Sequence, residues 1–478
     1  MSELNVLFLP VGQYCRREVV TCEADDRLVT AAGIMRERNI SSLVVCHQQQ
    51  PLGIMTDRDL RNKVVAPGLD PREMTVREVM NSPLITIAET EFLFEAVHLI
   101  SRYRIHRLVV TDQAGKLVGI ITDSDILRIQ ARSPQQLVRE IEEAQSLDEL
   151  SGLHRRVQGL VEHLVGTGVR VKDMVRLIAH LNDRILIRLI ALVRRARFND
   201  LTDRFAFLVL GSEGRGEQTL TTDQDNALVY ADDLPEPQIR QLEQFSEELI
   251  NAVIAIGIPP CPGGIMASTP QWRHSLQEWR QLLNSWFSSP VPENILKVSM
   301  FSDMRILYGD ASLEQSLRSH ISGRLVGDEA FLGHMTSNLL HFHVPLGWFG
   351  RIKTEKGAYQ GQLDLKKSGI FAMTEGVKIL AHSNGLQVQN TRERLEGLQL
   401  AGVLSPQEVN DLLAIYDSLV YFRLRSQVDD LRTGQPPDNR ITVATLNQME
   451  QGRLRVALEG VRSFQELLQR RYRLGQII

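Results

Sequence analysis

Two aspartates and a glycine-serine pair stand close together in the segment LVLGSEGRGEQTLTTDQDNALVY, residues 208–230. An apolar strand ends at Gly211 and Ser212, where glycine allows close backbone approach and a serine hydroxyl can donate to a phosphate. Asp223 and Asp225 open the next strand and share one of its faces, about 7 Å apart. Such carboxylates repel each other unless a cation binds them, and magnesium prefers oxygen ligands of this kind. The segment predicts a metal site that handles phosphates, with a polar loop between strands as the alternative.

A third acid follows in ENILKVSMFSDMRILYGD, residues 293–310. If Ile295 to Leu307 forms a strand, Lys297, Asp303 and Arg305 share one face, because side chains alternate along a strand. A lone acid beside two basic residues on a polar face favours a site over a core. Asp303 is therefore predicted to complete a set of three carboxylates.

The order of these parts resembles the nucleotidyltransferase fold of polymerase-beta-like enzymes. GSEGRGEQ, TDQDNA, CPGGIMAS and MFSDMR are more closely similar to nucleotidyltransferases fused to CBS pairs, relatives of protein-PII uridylyltransferase. The resemblance runs from about residue 140 to the C terminus. It implies that Mg²⁺ or Mn²⁺ binds Asp223, Asp225 and Asp303, which are also the catalytic residues. It implies nucleotide contacts from Gly211, Ser212 and Arg215.

The chemistry implied by this resemblance is a two-metal in-line displacement at the α-phosphorus of a nucleoside triphosphate, with pyrophosphate leaving. The acceptor is expected to be a protein. Two alternatives stay open: a catalytically inactive scaffold that senses a ligand, and a small-molecule adenylyltransferase. The presence of three acids favours an enzyme over the scaffold.

The N-terminal third contains an internal repeat, in which each copy is predicted as helix, strand, strand and helix. The copies end in GIMTDRDL and GIITDSDI, and three residues recur at a constant offset: Gly53, Thr56 and Asp59 as Gly119, Thr122 and Asp125. This order resembles a tandem pair of CBS domains over residues 14–131.

The CBS resemblance implies signal transduction, a homodimer formed through the pair, and an adenine nucleotide as ligand. The ligand contacts that it implies are Thr56, Asp59, Thr122 and Asp125. A threonine followed three residues later by an acid is also a helix capping box, which needs no ligand. Both interpretations of the two junctions remain open.

The fold class expected is an α/β multidomain protein: a tandem CBS pair, a nucleotidyltransferase-fold mixed sheet with helices, and a C-terminal helical bundle. The boundaries predicted are 14–131, a helical connector over 132–200, a catalytic domain over 201–312 and a helical substrate-binding-like domain over 328–475. Within the last, a basic cluster is predicted as a lid over the nucleotide, with Lys353 as a contact, or as a solvated surface. The cluster comprises Arg351, Lys353, Lys356, Lys366 and Lys367.

The overall composition limits the classes of binding partner and the location that we expect for the protein. Of 478 residues, 43% are hydrophobic and 23% charged, and the net charge is -4, so no basic excess predicts nucleic acid binding. The start of the chain does not resemble a secretory signal, and the most apolar helical stretch, residues 185–193, is too short for a membrane span. Four irregularly spaced cysteines favour reduced thiols and a cytoplasmic location.

Overall fold

A computed structural model describes residues 10–48, 50–126, 134–165, 169–220, 224–347 and 350–472. Backbone contacts divide the chain into two compact units, residues 1–136 and 137–478. Within the described ranges, no helix combines the length and the apolar character that a membrane crossing needs.

The first unit contains the two copies of the repeat, each built on a three-stranded sheet. In both sheets the first strand pairs in parallel with the second, and the second pairs antiparallel with the third. The strands are β1 (Thr21–Cys22), β2 (Ser42–His47), β3 (Gln50–Thr56), β4 (Thr86–Ala88), β5 (Arg107–Thr111) and β6 (Leu117–Thr122). The helices are α1 (Leu28–Glu37), α2 (Asp57–Leu60), α3 (Val76–Val79) and α4 (Leu93–Tyr103).

The copies have separate hydrophobic cores that share one small cluster. Apolar positions along α1 and α4 face their own sheets, and Val44, Cys46 and Val109 pack together where the two sheets meet. Both antiparallel pairs shift register at matching places, after Val45 and after Val110. The predicted order of helix, strand, strand and helix and the CBS pair are confirmed.

The second unit is built around one four-stranded mixed sheet in the order β10-β7-β8-β9. Its strands are β7 (Phe205–Val209), β8 (Asn226–Tyr230), β9 (Arg273–Ser275) and β10 (Arg305–Gly309). The helices before and around it are α5 (Pro134–Glu143), α6 (Leu147–Val165), α7 (Val171–Arg197), α8 (Gly211–Gly214), α9 (Glu236–Ala255), α10 (Leu276–Ser288), α11 (Pro292–Phe301), α12 (Ala311–Leu325) and α13 (Glu329–Leu340).

Helices cover both faces of this sheet. The two central strands, β7 and β8, are buried at every position, as expected when neither face meets water. Alternate residues enter different cores: Phe205 and Phe207 pack with α7 and α9, whereas Ala206 and Leu208 pack with α10 to α13. Burial on both faces makes the sheet a rigid base for the turns at its edge.

The rest of the chain is mainly helical. The helices α14 (Phe371–Ser383), α15 (Thr391–Leu400), α16 (Pro406–Arg432) and α17 (Gln448–Arg471) are named the C-terminal helices, and β11 (Gln362–Asp364) pairs antiparallel with β12 (Arg440–Thr442) beside them. Ser405 caps α16 and Pro406 occupies its first position. The expected fold class, a CBS pair, a mixed sheet with helices and a C-terminal helical region, is confirmed.

The strand predicted from Ile295 to Leu307 is wrong. The segment forms α11, a turn and then β10. Proline at the start of α11 and the burial of Ile295, Val298 and Phe301, three residues apart, fit one face of a helix. The polar residues were assigned to one strand face, but helix and turn direct them to different neighbours.

Candidate active site

The Gly-Ser turn follows β7 directly and lies against Asp225. Gly211 has a φ of 52°, which favours glycine, and a Cβ at this position would lie 2.9 Å from Oδ2 of Asp225. The backbone N–H of Leu210 donates to the carbonyl of Asp225 at 2.8 Å. The structure thus brings together Gly211 and Asp225, the two ends of the segment predicted to form a site.

Titratable acidic groups are concentrated around Asp225. Glu213, inside the Gly-Ser turn, is buried, and burial together with the Asp225 charge holds the pKa of Glu213 well above its ordinary value. Cys261 donates a hydrogen bond to Asp225, and burial followed by the Asp225 charge raises the pKa of this thiol to about 11. A cation at this edge would relieve the repulsion.

The carboxylate of Asp225, which lies against the Gly-Ser turn, is a donor of the kind that a divalent cation takes. Oxygen donors of this type suit Mg²⁺ or Mn²⁺. Asp223 lies outside the described residues, and within those that are described no group of three acidic, histidine or cysteine side chains is arranged to hold a metal. A complete site at this edge would therefore need Asp223.

Asp303 does not lie on a polar strand face and is not placed as a metal ligand. It is fully buried in the turn between α11 and β10. Its Oδ2 binds Nη1 of Arg215 at 2.6 Å and Nζ of Lys378 at 2.7 Å, and its Oδ1 binds Nη2 of Arg394 at 2.9 Å. Burial alone would raise the pKa of Asp303, but the three cations hold it well below its ordinary value. Both oxygens are engaged by protein cations, which leaves the predicted metal-binding role without support.

Arg215 differs in the same way from its predicted role as a triphosphate contact. Its guanidinium is buried and paired with Asp303 and, at 2.8 Å, with Glu217. Asn390 donates to its backbone carbonyl at 3.1 Å. Because Asp303 and Glu217 already balance the charge of Arg215, its predicted contact with a triphosphate is without support in these contacts.

The predicted lid residues lie on the surface. Lys353 is exposed in the segment before β11, as are Arg351, Lys356 and Lys367, whereas Lys366 is half-buried. Their contact with a nucleotide remains a prediction. Ser212 is half-buried in the Gly-Ser turn, and its carbonyl accepts the N–H of Glu217 at 2.8 Å.

Sequence reasoning missed four charged residues that surround Asp303: Glu217, Glu375, Lys378 and Arg394. A signal for two of them was available in FAMTEGVKIL, where Glu375 and Lys378 are three residues apart in an otherwise apolar helix. Charges at that spacing share a helix face, so a buried pair could have been predicted. Their meeting with Asp303 could not, because no local pattern encodes it.

The capping-box contacts are present at both CBS junctions. Oδ2 of Asp59 accepts the N–H of Thr56 at 2.9 Å, and Oδ2 of Asp125 accepts the N–H of Thr122 at 3.1 Å. Asp59 has a further partner, because Nδ2 of Asn81 donates to its Oδ1 at 2.8 Å.

The backbone of Asn81 pairs with Ile54 of β3 beside the first junction. At the matching place in the second copy, the backbone of Arg16 pairs with Ile120 of β6. The Arg16 side chain is exposed. The two junctions thus share a cap and differ in the residue beside it.

A mixed sheet that carries a Gly-Ser turn against an aspartate, followed by a helical region, is the arrangement that the nucleotidyltransferase resemblance implies. Family models agree over most of the chain: "CBS domain" matches residues 11–66 and 76–132, "Putative nucleotidyltransferase DUF294" residues 155–293, and "Putative nucleotidyltransferase substrate binding domain" residues 329–472. The chain belongs to the family in which a CBS pair is fused to this nucleotidyltransferase domain and its substrate-binding domain.

Individual relatives resemble a smaller part of the chain. An uncharacterized protein of Methanopyrus kandleri is 41% identical over 134 residues, which are 28% of this chain and 66% of that protein. Hypoxic response protein 1 of Mycobacterium tuberculosis is 33% identical over 111 residues, which are 23% of this chain and 77% of that protein. A crystal structure of an uncharacterized conserved protein from Pyrococcus horikoshii is 27% identical, covers 27% of this chain and 96% of its own, and has a TM-score of 0.25.

Proposed function

We propose that the protein transfers a nucleoside monophosphate from a nucleoside triphosphate to an acceptor, which we take to be a protein. The observation that carries this proposal is the contact between Gly211 and Asp225 at an acidic edge of the sheet. Asp225, with Asp223, would hold Mg²⁺ or Mn²⁺, and a bound cation would supply charge neutralisation on the phosphates and on the attacking oxygen. Asp303 has no part in this site.

The chain's own residues would bind and orient the nucleotide. The Gly-Ser turn lets the triphosphate approach the backbone at Gly211, and the Ser212 hydroxyl donates to a phosphate oxygen. Transfer forms a bond between the acceptor oxygen and the α-phosphorus and breaks the bond from that phosphorus to the bridging oxygen. Pyrophosphate leaves, and the acceptor proton passes to water.

The rival function is a ligand-sensing scaffold without catalysis. The position of Asp303 favours it, because one of the three predicted metal ligands is tied to Arg215, Lys378 and Arg394. Both functions keep the fold and predict nucleotide binding. They differ in whether a phosphate bond is broken.

The test is a transfer assay on the full-length protein. The protein is incubated with each α-labelled nucleoside triphosphate, Mg²⁺ or Mn²⁺ and cell extract, and label is followed on proteins and on small molecules. We expect label on protein with the wild type and with Asp200→Asn, an exposed control, and none with Asp225→Asn. Nucleotide binding without transfer would support the scaffold, and label confined to small molecules would move the acceptor to a metabolite.

We also propose that the CBS pair senses an adenine nucleotide at its second junction. Beside the first junction, the residue paired with β3 is Asn81, whose side chain is neutral. At the second, Arg16 replaces Asn81 at the edge of β6 and can pair with a phosphate. The ribose-binding carboxylate there would be Asp125.

Calorimetry with AMP, ADP and ATP tests the sensor. We expect Asp125→Ala to abolish binding, Arg16→Gln to weaken it, and Asp59→Ala to leave it unchanged. Loss of binding in Asp59→Ala alone would place the nucleotide at the first junction. The homodimer and the cytoplasmic location remain predictions, and sedimentation of the full-length protein with and without AMP would test the first.

A further inference from the structure

We propose that Asp303 is a positioning residue, through which the C-terminal helices hold the Gly-Ser turn and the loop that follows it. The contacts pass through six charged side chains, five buried and one, Arg215, 11% exposed. They are named here the charge network: Arg215, Glu217, Asp303, Glu375, Lys378 and Arg394. The expected effect of Asp303 on catalysis rests on the proposed transfer function, whereas its role in holding the Gly-Ser turn does not.

The charge network joins two regions of the second unit. Arg215, Glu217 and Asp303 belong to the catalytic sheet and its turns, and Lys378 and Arg394 belong to α14 and α15. Asp303 meets a cation from each region, because Arg215 approaches its Oδ2 from one and Lys378 from the other. Asp303 is therefore one junction between the two regions.

The backbone of Asp303 also supports the Gly-Ser turn. A Cβ at Gly214 would lie 2.0 Å from the carbonyl oxygen of Asp303, so only glycine fits between them. Gly211 lies in the same four-residue helix and faces Asp225. A shift of Asp303 would move this turn relative to Asp225.

The loop after the turn is held at two further points. The carboxylate of Glu217 accepts the N–H and, at 3.1 Å, the hydroxyl of Thr391 at the start of α15. The N–H of Leu220 donates to Oε1 of Gln427 on α16 at 3.2 Å. The C-terminal helices thus form hydrogen bonds with the chain just before Asp223 and Asp225.

The charges of the network balance only as a set. Lys378 also binds Glu375 at 2.6 Å and the carbonyl of Ser299 at 2.9 Å, so three carboxylates meet three cations. Buried ion pairs add little to stability compared with apolar packing. Removing one member, however, leaves its partners as buried charges with neither a counterion nor water around them. A charge-balanced pair of substitutions should therefore harm the protein less than either substitution alone.

The test compares Asp303→Asn, Arg394→Gln and the double variant by transfer kinetics and by amide hydrogen exchange over residues 211–220. Each single variant should lose about a hundredfold in kcat, since small displacements of a reacting group have effects of this size. Their loop amides should exchange faster while those of β7 and β8 stay protected. The kcat of the double variant should be at least about tenfold higher than that of either single variant, because the charges of the double variant balance.

Two further variants keep the outcome decidable. Thr391→Val removes one contact of Glu217 without changing charge, so it serves if the charge variants do not fold. Arg240→Gln removes an exposed ion pair with Glu236 and should change neither readout. Unchanged loop exchange in Asp303→Asn and Thr391→Val would overturn the inference. If the wild type shows no transfer but the variants still exchange their loop amides faster than it does, the transfer function is rejected and the positioning role of Asp303 stands.

Discussion

Asp225 and Asp303 are both next to strands of one sheet and were both predicted to bind metal, yet their surroundings are opposite. Asp225 faces other acidic groups, Glu213 and the thiol of Cys261. Asp303 faces three cations and is fully buried. The comparison teaches that the same residue type at a similar place in the sequence can stand among acidic groups or act as the counterion of buried cations, depending on which charges the fold brings to it.

The largest effect is expected from Asp225→Asn. Loss of this carboxylate should lower transfer at least about a thousandfold, because a metal ligand supplies several kcal/mol of transition-state stabilisation. The free energy of unfolding should not fall, since the variant relieves repulsion with Glu213. The labelled-transfer assay measures the activity, and urea denaturation measures the free energy of unfolding. A variant that is destabilised but keeps its turnover would show that Asp225 is a structural residue and not a catalytic one.

Asp303→Ala should have the opposite pattern in stability. Removing one partner from a buried ion pair costs about 3–5 kcal/mol, because the remaining charges are left without compensation. The lowered pKa of Asp303 gives the same sign: its contribution is complete above the ordinary pKa of 3.8 and is lost as the pH falls further. Urea denaturation of the second unit's transition measures this loss. A cost below about 1 kcal/mol would show that the network is not a coupled set.

Substitutions at two glycines near this turn distinguish two causes of destabilisation: a steric clash with Asp303 at Gly214 and an unfavourable backbone conformation at Gly216. Gly214→Ala would press a methyl group into the carbonyl of Asp303 and should cost at least about 2 kcal/mol. Gly216 has a φ of 64° and open space around it, so Gly216→Ala should cost only about 1 kcal/mol of left-handed strain. Thermal unfolding of both variants ranks them, and the reverse order would contradict the close packing of the turn on Asp303.

The smallest effect concerns His382, which borders the charge network. Burial, then the charges of Arg394 and Lys378, lowers the pKa of His382 to about 3, from an ordinary 6.5. Below pH 6.5 the unfolded chain therefore binds a proton that the folded chain does not, and stability falls by up to about 1.4 kcal/mol per pH unit.

Replacing His382 with a side chain that does not titrate isolates the contribution of His382 to the pH dependence of stability. Between pH 6.5 and 5, denaturation of wild type and His382→Gln should show a steeper loss in the wild type. Acidic groups contribute little in this window, because their ordinary pKa values lie lower. Parallel pH profiles for the two proteins would contradict the neutral, buried state of His382.

Much of the fold could be predicted because its signals are local or repeated. The CBS copies show their offset in Gly53 and Gly119, and Ser405 with Pro406 marks the start of α16. The Gly-Ser turn and Asp225 lie in one short segment between two neighbouring strands, so their meeting could be predicted locally.

The environment of Asp303 could not be predicted in this way. Its strand was misassigned because alternating and threefold apolar patterns overlap in a short segment. Its partners Lys378 and Arg394 come from helices far along the chain, and Arg394 is 91 residues away. A single sequence contains no local pattern that joins residues at that separation.

The central claim is that Asp225, and not Asp303, belongs to the metal site. Its most direct test is Mn²⁺ binding, measured by calorimetry in the presence of a non-hydrolysable nucleoside triphosphate, in wild type, Asp225→Asn and Asp303→Asn. We predict that Asp225→Asn weakens binding by more than about tenfold, because it removes a carboxylate ligand, and that Asp303→Asn weakens it several-fold less, because it only displaces the turn. Equal weakening in both variants, or wild-type affinity in Asp225→Asn, would contradict the account.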